Sequence, residues 1–187
     1  MIGQFTLKHN ILSKKAEELN INNFPGVDEQ KDSCLSFDYI FNNLNLLHKN
    51  CITPLMQAFG GHIAITSAYR CIDLNRALNG NSNSQHIRGQ AVDIVSLKYP
   101  SHLIWNWCFQ NLPTFNQLIW EYPERGDYTS NGIDFSWVHI SWVSNNNPRT
   151  TSLSTTREDV HEMYKAEKTT RIGNYTHRIA FADQNLF

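Results

Sequence analysis

Apolar residues recur at helical spacing in some stretches of this chain and alternate with polar ones in others. Phe37, Ile40, Phe41, Leu44, Leu47 and His48 follow a 3.6-residue period that continues toward Leu55, Met56 and Phe59 across Pro54, which predicts one or two amphipathic helices with these aromatics in the core. Helical segments are also predicted within residues 6–19, 73–78 and 103–112; in the last, Trp105, Trp107 and Phe109 read as packing residues before groove-lining ones. Residues 63–69, 91–95, 117–122 and 137–141 are short and β-rich, and the polar stretch 20–33, with Pro25-Gly26, reads as a loop. The fold expected is α+β: a small, mainly antiparallel sheet flanked by helices.

The strands carry chemistry on one face. Val92 and Ile94 share one side and Ala91, Asp93 and Val95 the other; likewise Val138 and Ile140 oppose Trp137, His139 and Ser141. Seven positions before Asp93 stands His86, at the end of a loop made by Gly80 and residues 81–85, with Gly89 placed to turn the chain between the two. Taken singly, His86 and Asp93 read as an ordinary hydrogen-bonded pair and His139 as a satisfied core histidine. Taken together, they are the three N and O donors of a catalytic zinc, with a fourth position left for a water whose pKa falls to about 7. Arg70, at the end of the 63–69 strand, would aim a permanently charged guanidinium at an oxyanion in the same cleft; a surface salt bridge is the plain alternative.

The run S-x-Y-R at Ser67, Tyr69 and Arg70, the L-N-R of Leu74 to Arg76, the S-x-H-x-x-G-x-A-x-D from Ser84 to Asp93 and the W-V-H-I-S around His139 together resemble the peptidase M15 family of zinc D-Ala-D-Ala carboxypeptidases and phage endolysins. The likeness runs from about Phe5 to Trp142 and is strongest to a branch with an early F-T-L segment. It implies a hedgehog/DD-peptidase-like sheet and a Zn2+ ion on His86, Asp93 and His139. It further implies that Arg70 contacts the substrate and steadies charge on the reacting carbonyl, and that Ser84 hydrogen-bonds the substrate beside the first ligand. The substrate implied is the peptide stem of bacterial peptidoglycan, cut either as a carboxypeptidase or as an endolysin endopeptidase.

One position departs from the family pattern. Better known members have an acidic residue three positions before the last histidine, where it takes a proton from the attacking water; here that position is Ser136, and a hydroxyl cannot serve as a base near neutral pH. Two carboxylates are candidates instead. Glu121 ends a strand that can pair with the His139 strand, sits between Trp120 and Tyr122 in an L-I-W-E run that recurs in the resembling branch, and would be partly desolvated, raising its pKa. It could equally orient a histidine ligand. Asp134 lies five positions before His139 in a turn-rich stretch and reads first as a solvated turn residue.

Composition narrows the picture less. With 187 residues and 41% hydrophobic content the chain can bury one sizeable core. A net charge of -1 without a basic stripe leaves no footprint for nucleic acid. Cys34, Cys51, Cys71 and Cys108 form no C-x-x-C pair, so neither a cysteine zinc site nor a disulfide framework is expected, and Cys71 reads as a buried free thiol. No apolar run is long enough for a membrane span, and the N-terminus lacks a secretory pattern. The expectation is therefore synthesis in the host cytoplasm, with action on the wall after release or carriage on a virion. Residues 1–143 are read as the catalytic domain and 144–187 as an extension packing on it or on a partner, a second copy included. The alternative from another class is a zinc-stabilised binding or virion structural module without turnover.

Overall fold

The computed structural model describes residues 7–96, 98–121 and 136–144 in full, and the backbone of Thr170–Ile172 and Tyr175–Phe181. Residues 123–132, Asp134 and the charged segment 157–168 lie outside the described residues. Six strands, β1 (Ala64–Ser67), β2 (Ala91–Val95), β3 (Gln117–Glu121), β4 (Trp137–Ser141), β5 (Thr170–Ile172) and β6 (Tyr175–Phe181), make one sheet in the order β1-β2-β4-β3-β6-β5. Among the described residues every pairing is antiparallel.

Alternation sorts the central strands into a packing face and a chemical face. Val92 and Ile94 of β2, Leu118 of β3, and Val138 and Ile140 of β4 have no exposed surface. Each such burial contributes about 1.5–3 kcal/mol. On the opposite face the register sets Asp93 beside His139 and His139 beside Ile119, with Glu121 opposite Trp137. Strand pairing alone thereby sets Asp93, His139 and Ile119 in one row, with the Glu121–Trp137 pair in the next row on the same face.

Helices close the packing face. Helix α3 (Phe37–Leu47) starts where Ser36 Oγ accepts the Tyr39 N–H, and it turns Ile40, Leu44 and Leu47 inward. A π turn, His48–Ile52, then runs directly into α4 (Thr53–Ala58). This widened turn falls just ahead of Pro54, whose ring would clash with the preceding turn of an unbroken α-helix. Helix α6 (Ser101–Asn111) packs on β3 and β4, burying Ile104, Trp105 and Cys108. Trp105 and Trp107 are accordingly core packing residues, the latter edge-on to Phe59. Phe41 departs from the expectation: it is 37% exposed and stacks on Phe37, because the apolar stripe of α3 is centred on Ile40, Leu44 and Leu47 and leaves Phe41 at its edge.

Of the remaining short helices, α1 (Leu7–Ile11), α2 (Lys14–Glu18) and α5 (Ile72–Ala77), α1 packs on β1 at the sheet edge. The Tyr69 N–H donates to the Asn10 carbonyl, so the N-terminal segment is bonded to the chain just after β1. Beyond residue 144, β6 pairs along the whole of β3 and extends the sheet on its far side.

Candidate metal centre

His86 is delivered by a 3-10 turn, Gln85–Arg88, which lies between β1 and β2 in the chain and packs on β2 and α3. Ser84 Oγ caps that turn by accepting the His86 N–H at 3.3 Å, and Gly89 ends it in the left-handed conformation at φ 65°. A side chain at Gly89 would not fit: its Cβ would lie 2.7 Å from the Ile40 carbonyl oxygen. The glycine therefore allows the turn to sit against α3 and still bend toward β2.

The imidazole of His86 is buried, with Nδ1 2.6 Å from the Ala68 carbonyl. A carbonyl only accepts, so Nδ1 carries the proton, and Nε2 of the neutral ring presents a lone pair. That lone pair faces Asp93 Oδ1 at 3.3 Å. Two acceptors facing each other in a buried site suit a cation held between them. His139 Nδ1 approaches the same Oδ1 at 2.9 Å, and the two imidazole rings lie 5.1 Å apart at 63°. The candidate ligand atoms of the three residues all lie within 4.8 Å of one another. Zinc bonds of about 2.0–2.1 Å in a tetrahedron set ligand atoms roughly 3.3 Å apart, so the donor set fits that ion.

Electrostatics favour the protonation states that metal binding needs. Burial lowers the His86 pKa, keeping the ring neutral. Burial by itself would raise the Asp93 carboxyl, yet it lies well below its ordinary range, so it stands ready as an anionic donor. Its second oxygen, Oδ2, accepts from Arg70 Nη2 at 2.6 Å, and Arg70 Nε donates to Ser67 Oγ at 2.8 Å. Ser67 faces Asp93 only because β1 carries an irregularity between Ile65 and Ser67 that shifts the register.

Glu121 stands on the same sheet face, half-buried. Its carboxyl is pushed from 4.5 up to about 7, first by burial and then by the Asp93 charge, against the lowering influence of His139, Arg70 and a hydrogen bond from Trp137. Ser136 lies on the other face: its hydroxyl accepts from Trp120 Nε1 at 2.9 Å and its carbonyl from Ser101 Oγ at 3.0 Å. It is a structural joint between β3, β4 and α6. Cys71 is a buried free thiol whose sulfur accepts the Leu74 N–H at the start of α5, and burial raises its pKa. It is not placed to supply a thiolate.

Five of the sequence-derived residues, Arg70, His86, Asp93, Glu121 and His139, thus converge, with Ser84 at the start of the turn that carries His86. Sequence reasoning assigned no role to Ser67, although it stands in the S-x-Y-R run, nor to the Ala68 carbonyl that orients His86. The first had a signal in the motif; the second is backbone and has none.

A family model described as Peptidase M15 matches residues 19–122, a segment that holds Arg70, Ser84, His86, Asp93 and Glu121 and ends before His139. No curated protein and no solved structure matches the chain. The match spans more than half of the 187 residues, and the sheet adds the third donor from beyond its end. The chain belongs to the peptidase M15 family of metallopeptidases.

Proposed function

We propose that the protein is a zinc-dependent peptidase that cleaves the peptide stem of bacterial peptidoglycan, as a D-Ala-D-Ala carboxypeptidase or an endolysin-type endopeptidase, in phage-type lysis of the wall. The observation that carries this reading is the meeting of His86 Nε2, Asp93 Oδ1 and His139 Nδ1 on the face that also bears Glu121. The stem peptide as substrate rests on the family.

In this reading His86, Asp93 and His139 hold the ion. Bound there, zinc supplies a Lewis acid for the scissile carbonyl and lowers the pKa of the attacking water. Glu121 would receive a proton from the attacking water and pass it to the departing amine, a role that its raised carboxyl pKa in the metal-free site favours. Arg70 has Nε on Ser67 and Nη2 on Asp93, which leaves Nη1 for the carbonyl oxygen as it gains charge. The Ser84 hydroxyl, accepting from His86 N, keeps its own proton to donate to a substrate oxygen.

A second reading, a zinc-stabilised binding or virion structural module, draws support from Ser136, which replaces the family acid and is turned to the packing face. One experiment separates the two: the zinc-loaded protein is incubated with purified peptidoglycan and synthetic stem peptides, and products are weighed by mass spectrometry. Free D-alanine marks a carboxypeptidase and larger fragments an endopeptidase. Intact substrate that nevertheless co-sediments with the protein would favour the binding module.

A further inference from the structure

Arg70 stands on a stretch without regular structure, residues 68–71, between the end of β1 at Ser67 and the start of α5 at Ile72. Ladder bonds of the sheet therefore do not set its backbone. Its guanidinium must nevertheless reach Ser67 Oγ and Asp93 Oδ2 together, at 2.8 and 2.6 Å. Any error in the backbone is magnified along so long a side chain.

The Arg70 N–H donates to the His86 carbonyl at 3.2 Å, and the free groups on either side of it, the Tyr69 carbonyl and the Cys71 N–H, are both taken by one remote side chain. Asn23, 7% exposed in the stretch between α2 and α3, donates from Nδ2 to the Tyr69 carbonyl at 3.2 Å and accepts the Cys71 N–H on Oδ1 at 2.7 Å. The same Nδ2 donates to the Ile11 carbonyl at 2.8 Å, tying the clamp to the end of α1. Donor and acceptor of a single amide thus close on the residues immediately before and after the arginine. A carboxamide is the one short neutral side chain that offers both at this separation.

We propose that Asn23 is a positioning residue for Arg70: by substituting for missing strand pairing at Tyr69 and Cys71, it aims the guanidinium at Asp93 and the reacting carbonyl. The reason for expecting a large effect is geometric, since a misplacement of about 1 Å can cost roughly a hundredfold in rate. Only the kinetic consequence rests on the peptidase reading; the aiming of Arg70 does not.

The test uses the full chain, zinc-loaded, with Asn23→Ala and with Asn23→Asp, which keeps the shape and the acceptor facing Cys71 but removes the donors. Ser13→Ala is the control: Ser13 Oγ caps α2 in the same N-terminal segment by accepting the Ala16 N–H. Two readouts are taken: the Arg70 Nε–H resonance and its exchange with water by NMR, and kcat and KM on the stem peptide found to be cleaved. Expected are a slowly exchanging Nε–H in wild type and in Ser13→Ala, fast exchange in both Asn23 variants, and a fall in kcat of tenfold or more in the latter with KM little changed. In an Arg70→Lys background Asn23→Ala should lower kcat no further. A protected Nε–H in a folded Asn23 variant overturns the proposal, as does a kcat loss undiminished in the Arg70→Lys background. If wild type cleaves no stem peptide, the peptidase reading fails while the NMR comparison still decides the clamp.

Discussion

The Glu121 carboxyl, raised from 4.5 to about 7, takes up its proton more readily in the folded chain than in the unfolded one. Stability from that group is therefore fully present below pH 4.5 and is lost as pH rises through about 7. In the metal-free protein, Glu121→Gln should raise the melting temperature at pH 8, by a free energy on the order of 2 kcal/mol, and leave it unchanged at pH 4. In the zinc-loaded protein the same substitution should keep the metal, cut turnover about a hundredfold and abolish the acid limb of the pH–rate profile. Asp134→Asn should do little. Wild-type turnover by Glu121→Gln would place the base elsewhere. Arg70→Lys, one donor where two nitrogens now bridge Ser67 and Asp93, should lower turnover strongly and also weaken zinc binding about tenfold, because Asp93 loses the partner that orients it. Unchanged zinc affinity in an equilibrium competition assay would mean that the Asp93 contact does not tune the metal.

At the scale of elements, the 3-10 turn and the edge of β1 decide whether the donors meet. Gly89 is the hinge of the first, since a left-handed φ and a backbone oxygen within reach of any added Cβ both exclude larger residues. Gly89→Ala should cost about 1–3 kcal/mol and lower the melting temperature by several degrees. It should weaken zinc binding as well, because His86 rides on that turn. A melt and a zinc titration indistinguishable from wild type would show that the turn relaxes freely. The glycine was readable from sequence as a turn between two ligands, and the strand alternation around Asp93 and His139 was readable as a chemical face. The register shift in β1 was not, since nothing in Ile65-Thr66-Ser67 announces which residue will oppose Asp93.

For the molecule as a whole, two donors lie on a turn and on β2, close in the chain, but the third lies on β4, 46 positions beyond Asp93, and an unfolded chain does not hold it beside them. An ion bound only by the folded state stabilises it by about 4 kcal/mol at a thousand times its Kd, enough to raise the melting temperature by roughly 10 °C. Zinc should produce that rise and a chelator reverse it. His86→Ala, Asp93→Ala and His139→Ala should each lose most of it together with zinc occupancy, because two remaining ligands hold the ion far less tightly. A full thermal shift in all three variants would sink the ligand assignment.

Local chemistry is what the sequence by itself determined. The 3.6-residue stripe of α3, the two-residue alternation of β2 and β4, the glycine at the turn and the spacing of His86 and Asp93 are short-range patterns, and each element they predict is present. Tertiary structure alone decided the rest, because the deciding contacts join residues far apart in sequence: Asp93 with His139, 46 positions on; Arg70 with Asp93, 23 on; and Asn23 with Tyr69 and Cys71, 46 and 48 on. Asn23 sits in a polar stretch that reads as an ordinary loop, and a side-chain amide gives no periodic signal of its partners. Ser136 shows the same limit from the other side: its spacing to His139 copies the family acid, and only the sheet's alternation reveals that it is turned toward Trp120 and away from the metal ligands.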